Sequence, residues 1–313
     1  MKIDVVIAFF MLGLFARLVK ARFDFPPALY QSIIIFLLIS IGLKGGIALS
    51  AHNSDGLLLQ SLAVITIGIV LPLIAFPVLH KIGGLGRDDA ASIAAHYGSV
   101  SVGTYAVAIT YLDARGITFE PYFPLFVALL EVPAIAVGIC LARNHNQRVE
   151  FRKVLHEVFF NQGVLLLVGG LIIGWLAGEA NTAKIMPLFR DLFQGVLALF
   201  LLNMGLVAAE KLGSIKQYGS FIASFAVVMP LTGAMVGALT GHLLGLSTGG
   251  IIMLATLASS ASYIAVPAAM AVAIPAANQS ISMTASLAIT FPFNVLVGIP
   301  LYTSLLTTVF KSA

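Results

Sequence analysis

The sequence predicts an all-α integral membrane protein of about ten transmembrane helices in two inverted five-helix repeats, with broken helices at the midplane. Three observations predict it. Of 313 residues, 59% are hydrophobic and 10% charged, with a mean hydropathy of +1.03, whereas a soluble domain carries roughly 25% charged residues. Apolar runs of about 20 residues, the length that crosses a bilayer, recur along the whole chain. Finally, blocks in the first half resemble blocks in the second at an offset of about 160 residues.

The candidate spans are 4–21, 28–50, 57–80, 89–112, 121–142, 158–178, 188–211, 218–244, 248–274 and 279–308. Turn and charge signals separate them, among them "RFDFPP", "AHNSDG", "KIGGLGRDD", "RNHNQRVEFRK" and "KLGSIKQYG". The N-terminal run lacks a small-residue cleavage site and leads through Pro26-Pro27 into the next apolar run, so it reads as the first span rather than a signal peptide. Domain organisation follows: a first repeat over 1–142, a short cytoplasmic linker over 143–157, and an inverted second repeat over 158–313. Eleven of the seventeen Lys and Arg fall on one side of this topology, which makes that side cytoplasmic and points both termini outward. The lone Cys140 excludes a disulfide framework and a cysteine metal cluster.

The repeat is carried by pairs of blocks: "SIGLKGGIAL" with "NMGLVAAEKL", "GIVLPLIAF" with "AVVMPLTGA", and "EVPAIAVGI" with "FPFNVLVGI". Five spans is an odd number, so the second copy inserts upside down, an arrangement that transporters use around a midplane site. Two polar, interrupted segments occupy equivalent places in the halves, "HYGSVSVGTY" (96–105) and "ASSASYIAVP" (258–267). Gly98, Gly103 and Pro267 weaken the helical ladder there. A broken helix offers free N–H groups to an anion and free carbonyls and hydroxyls to a dehydrated cation. Small residues also serve close helix packing, but two such segments in register favour a binding site.

Among thirteen acidic residues only Glu131 lies near the middle of a span, where a carboxylate is costly and commonly functional. Lys44 either attracts an anion or snorkels to the interface, and Asn203 and Ser40 are candidate interior polar groups. His96 beside the first break reads as a hydrogen-bonding packing residue rather than a ligand. Enzymatic readings find little support: there is no paired intramembrane aspartate, no His-Glu-x-x-His motif and no phosphate-cradling Gly-x-x-x-x-Gly-Lys. An ion gradient is then the energy source, and no cofactor is expected beyond Na+ as coupling ion. A non-transporting membrane sensor, another small anion as cargo, and cation–proton exchange are the competing readings.

The chain resembles the SbtA-like sodium-dependent bicarbonate permeases nearly end to end, through "IGLKGGIAL", "YGSVSVGT", "LLEVPAIAVGI" and "ASSAS…P…AIPAANQS" in that order. The resemblance implies a homotrimer in the bacterial inner membrane, elevator-like movement, and sodium-coupled symport of bicarbonate. It places substrate binding at Gly98, Ser99, Ser101, Thr104, Ser259, Ser260 and Ser262. Sodium would be held by Ser101, Thr104, Glu131, Ser260 and Tyr263. The sequence departs from the cyanobacterial pattern at Tyr263, where relatives carry Asp, and at Glu131, which keeps the charge of an Asp. The linker is also shorter than in those relatives, which bears on the PII-like cytoplasmic regulator that family members can bind.

Overall fold

A segment that crosses lipid has to satisfy its backbone N–H and C=O groups internally, and the apolar runs of this chain do so as helices. The computed structural model describes residues 5–21, 23, 25–51, 56–142, 160 and 162–310, and contains no strand among them. The predicted linker 143–157 lies outside the described residues, as do Lys2, Arg22 and Lys311. Among the described residues, seven helical stretches are long and apolar enough to cross a membrane, and Val5–Leu18 and Thr248–Ser259 are shorter apolar helices.

In chain order the helices are α1 (Val5–Leu18), α2 (Pro27–Ala51), α3 (Leu57–Pro77, continued by a π turn over Val78–Ile82), α4 (Arg87–Gly98), α5 (Val102–Asp113) and α6 (Phe123–Ala142). There follow α7 (Gln162–Thr182), α8 (Met186–Asp191), α9 (Phe193–Leu243), α10 (Thr248–Ser259) and α11 (Ala265–Ala273). A last run comprises α12 (Gln279–Met283), α13 (Phe291–Phe293) and α14 (Ile299–Phe310), joined by π turns over Thr284–Thr290 and Asn294–Gly298. The predicted spans 188–211 and 218–244 are the two limbs of α9, and their boundary is a kink at Gly219 (φ 79°, ψ 169°) instead of a loop. The left-handed backbone there is one that glycine adopts without a side-chain clash. Pro292 lacks an N–H and sits between the two π turns, where the regular ladder is already relaxed.

Close helix packing depends on glycine at two interfaces. On α2, a Cβ at Gly42 or Gly46 would run into the carbonyl oxygens of Leu167 and Leu171 on α7, and Gly174 faces Leu43 in return. On α1, Gly13 lies against Leu202 of the first limb of α9, and Gly205 against Phe10. In lipid there is little hydrophobic drive between helices, so this intimate backbone contact supplies dispersion that bulkier residues would forfeit. The outward faces keep large apolar side chains for lipid, for example Leu58, Leu176 and Met235 at 76%, 72% and 73% exposed.

Burial is distributed unevenly, and that positions the site. Every residue from 90 to 108 is buried, and so is every residue from 249 to 263. These two stretches are the split spans, α4 with α5 and α10 with the turn before α11. The two interrupted spans thus occupy the centre, wrapped by α3, α6, the second limb of α9 and the α12–α14 run.

Gly46→Leu should lower stability by about 1–3 kcal/mol, the usual cost of overpacking, because its side chain would also come within 2.7 Å of Trp175 N. Gly169→Leu, where nothing lies within 4 Å of a Cβ, should leave stability nearly unchanged. Thermal melting of the two variants in detergent checks the contrast.

Candidate functional site

The first break spans Ser99–Ser101 between α4 and α5, and the second spans Ser260–Ile264 between α10 and α11. Neither contains a glycine, which corrects the expectation that Gly98 and Gly103 interrupt the helix. Gly98 is the last residue of α4, and a Cβ there would strike the ring of Pro72 and come within 3.0 Å of Ala134. Gly103 lies inside α5 and leaves room for the Tyr263 hydroxyl and the Phe200 ring. Pro267 sits in the first turn of α11, where a missing N–H costs nothing in the ladder. The glycines serve close approach, and serines do the interrupting.

Those serines satisfy the freed backbone. Ser101 is the N-cap of α5, its Oγ accepting from the Thr104 N–H at 3.0 Å. The Ser101 N–H donates to Ser260 Oγ at 2.9 Å, and Ser260 Oγ donates in turn to Leu257 O at 2.7 Å. The Ser262 N–H donates to the carbonyl of His96 at 2.9 Å, while His96 Nδ1 meets the Ser262 carbonyl at 2.6 Å. Each break therefore completes the other across the centre of the molecule.

Further polar groups hold this junction. Asn294 Nδ2 donates to Ser259 O at 2.8 Å, and Tyr302 donates to Asn294 Oδ1 at 3.1 Å, closing the C-terminal end of α10. Tyr97 Oη and Thr290 Oγ1 lie 2.8 Å apart, with Thr290 donating to Ala226 O at 2.6 Å. At the periphery, Asp89 Oδ1 accepts from the Asn278 N–H at 2.7 Å, and Glu120 Oε1 accepts from the Ser247 N–H at 2.6 Å. Asn294 escaped the sequence reading. Its signal was an amide inside the apolar run "FPFNVLVGI".

The structure thus brings Gly98, Ser99, Ser101, Thr104, Ser259, Ser260, Ser262 and Tyr263 together, all of them buried. The Tyr263 ring stacks edge-on to Phe291 at 5.3 Å, and its hydroxyl approaches Gly103 and the Ser101 side chain. Among the described residues, Ser99 Oγ, Tyr263 Oη, His96 Nε2 and Glu131 Oε2 are buried atoms with no hydrogen-bond partner. Such atoms are expensive to leave unmatched. Glu131 comes to the junction by register: on α6, Gly138 packs against Ala95 and Ala134 against Gly98. One turn further along, Glu131 stands level with the break at 99–101. Among the described residues there is no cluster of three His, Cys, Asp or Glu suited to a metal.

Lys44 is elsewhere. Its Nζ lies 4.2 Å over the Phe193 ring, on the wall of a cavity of about 810 Å³ that also meets Asp113, Glu179, Arg190 and Asp191. Asn203 and Ser40 are buried as expected, and Ser40 Oγ donates to Phe36 O at 2.6 Å within its own helix.

The chain matches the model of the Na+-dependent bicarbonate transporter superfamily over residues 5–307. It belongs to that superfamily. The match runs through both broken segments, so the buried junction lies within the family's common region. No curated protein matches the chain significantly. The chain is accordingly a multi-pass membrane protein of a transporter family.

Asn294→Leu removes the amide from Ser259 O and strands a buried carbonyl, a loss of about 1–3 kcal/mol. The expected outcome is a lower Tm in detergent. An unchanged Tm would mean that the amide does not hold the end of α10.

Proposed function

We propose that this chain is a secondary active transporter that carries bicarbonate into the cell in symport with sodium. The observation that carries the reading is the junction itself: two interrupted helices, each completing the other, with unmatched polar atoms sealed inside. A packing device alone has no use for unmatched atoms, whereas a binding site does.

The chemistry divides by helix end. α4 and α10 terminate at the breaks, presenting carbonyl oxygens and the negative ends of their dipoles. α5 and α11 begin there, presenting N–H groups and positive ends. α11 starts without a side-chain cap, so its first N–H groups stay available. An anion suits the N-terminal ends, and a dehydrated sodium ion suits the carbonyls with Ser101, Thr104, Ser260 and Glu131. Each ion offsets the other's field in a water-excluded place, which is the physical basis of coupling. Tyr263 supplies a neutral hydroxyl where relatives carry Asp, so Glu131 becomes the countercharge.

The packing supports ten passages in two inverted repeats. α1 packs on the first limb of α9 and α2 on α7, so the first passage meets the seventh and the second meets the sixth. A shift of five exchanges these two pairs. The peripheral bonds follow the same rule: Asp89 at the start of α4 meets Asn278 before α12, and Ser247 at the start of α10 meets Glu120 before α6. With every site residue buried, the junction is enclosed, and an elevator-like movement of the core against the scaffold would open it. A homotrimer in the bacterial inner membrane, with both termini outward and a PII-like regulator on the cytoplasmic side, completes the proposal.

Labelled bicarbonate should enter proteoliposomes down an inward sodium gradient and not when potassium replaces sodium. No uptake in either condition would remove the reading, and sodium-independent uptake would remove the coupling alone. Glu131→Gln should weaken apparent sodium affinity by about tenfold, equivalent to about 1.4 kcal/mol. Unchanged sodium dependence would confine Glu131 to packing.

A further inference from the structure

His96 holds more than the packing role its sequence context suggested. Its ring is wholly buried, and Nδ1 lies 2.6 Å from the carbonyl oxygen of Ser262. A carbonyl oxygen only accepts, so Nδ1 carries the hydrogen. In the neutral imidazole the other nitrogen is then a lone pair, a pure acceptor. That nitrogen, Nε2, has no partner among the described residues. The second bond between the same two residues, Ser262 N–H to His96 O, ties their backbones together, so the carbonyl that orients the ring is itself held. A buried acceptor is therefore presented at the junction with its orientation locked from behind.

The neighbouring unmatched atoms do not duplicate it. Ser99 Oγ and Tyr263 Oη belong to hydroxyls that both donate and accept. The Glu131 carboxylate also only accepts when ionised, but its charge serves sodium in the proposed function. His96 Nε2 is instead a neutral acceptor, on the residue that bonds the break before α11. An anion drawn there must satisfy a lone pair as well as N–H groups. Nitrate, chloride and formate bring only lone pairs and meet Nε2 with repulsion. Bicarbonate is a monoanion with one O–H, so it can direct that hydrogen at Nε2 while its charged oxygens face the helix N-termini.

We infer that His96 is the specificity-determining residue of this site, Nε2 accepting the hydroxyl hydrogen of a protonated oxyanion and so selecting it over aprotic monoanions. The inference rests on the bicarbonate reading above and deepens it. A site built to hydrogen-bond a substrate hydroxyl rejects analogues lacking it more strongly than shape alone allows, because the buried polar group is left unpaired.

The test is transport in proteoliposomes by the full-length chain, with bicarbonate as substrate and nitrate as competitor, alongside thermal melting. Asn at position 96 places an amide near Nδ1, so His96→Asn keeps the bond to Ser262 and deletes the distal acceptor. It should melt close to the parent, raise the KM for bicarbonate by about tenfold or more, and lose most of the preference over nitrate. Gln reaches toward Nε2, so His96→Gln should melt lower yet keep more of that preference, and it decides the matter should His96→Asn fail to assemble. A folded His96→Asn with parental KM and preference overturns the inference. So does a pair of variants that lose stability and rate while the bicarbonate-to-nitrate ratio stays fixed, or a parent that takes nitrate as readily as bicarbonate. Failure of the parent to transport bicarbonate at all would instead remove the functional reading on which the inference stands.

Discussion

Unpaired backbone cannot be left facing lipid, and the rest of this structure depends on how that constraint is met at two places. A helix interrupted in mid-membrane frees N–H and C=O groups whose exposure costs several kcal/mol each. Here the two interruptions resolve one another. Ser101 N–H finds Ser260 Oγ, Ser262 N–H finds the His96 carbonyl, and the His96 ring returns a hydrogen to the Ser262 carbonyl. Neither broken segment is self-sufficient. Both must be buried together, and the surrounding helices are arranged to bury them.

From that follows the division between core and periphery. Residues 90–108 and 249–263 are enclosed throughout, while α1, α3 and α7 keep large apolar side chains outward for lipid. The glycine contacts of α2 with α7 and of α1 with α9 allow the outer helices to close without bulky side chains. The mutual bonds also make the junction a single unit. Its two sides share their backbone partners, so a movement that carries one carries the other. On the transport reading proposed above, exposing the junction to alternate sides would cost less as displacement of the whole core than as separation of the two breaks.

Much of this was legible in the sequence. Hydropathy and length gave the membrane class, and Ser99, Ser101, Ser260 and Ser262 stood out as polar groups in apolar runs that the structure brings together. What the sequence obscured has physical causes. Glycine reads as a helix breaker, but Gly98 and Gly103 are there for the space beside Pro72 and Tyr263, a tertiary fact that no local propensity carries. The break near 219 looked like a loop because charge and turn residues cluster there, yet a single glycine in a left-handed, non-helical conformation is enough to join the two limbs at a kink. Asn294 was hidden because a single amide in an apolar run shows no partner until α10 is folded against it. His96 was read as packing because its tautomer is set by a carbonyl 166 residues away.

The central claim is that bicarbonate and sodium occupy the junction of the two breaks. Ser99 is the most direct probe, since its Oγ is unmatched and serine to cysteine is nearly isosteric. In a Cys140→Ala background, Ser99→Cys should react slowly with a small thiol reagent as the transporter cycles. Bicarbonate should suppress that labelling when sodium is present and not when potassium replaces it. Labelling unaffected by bicarbonate and sodium in a variant that still transports would contradict the account, because the cargo would then pass without occupying the place where the helices break.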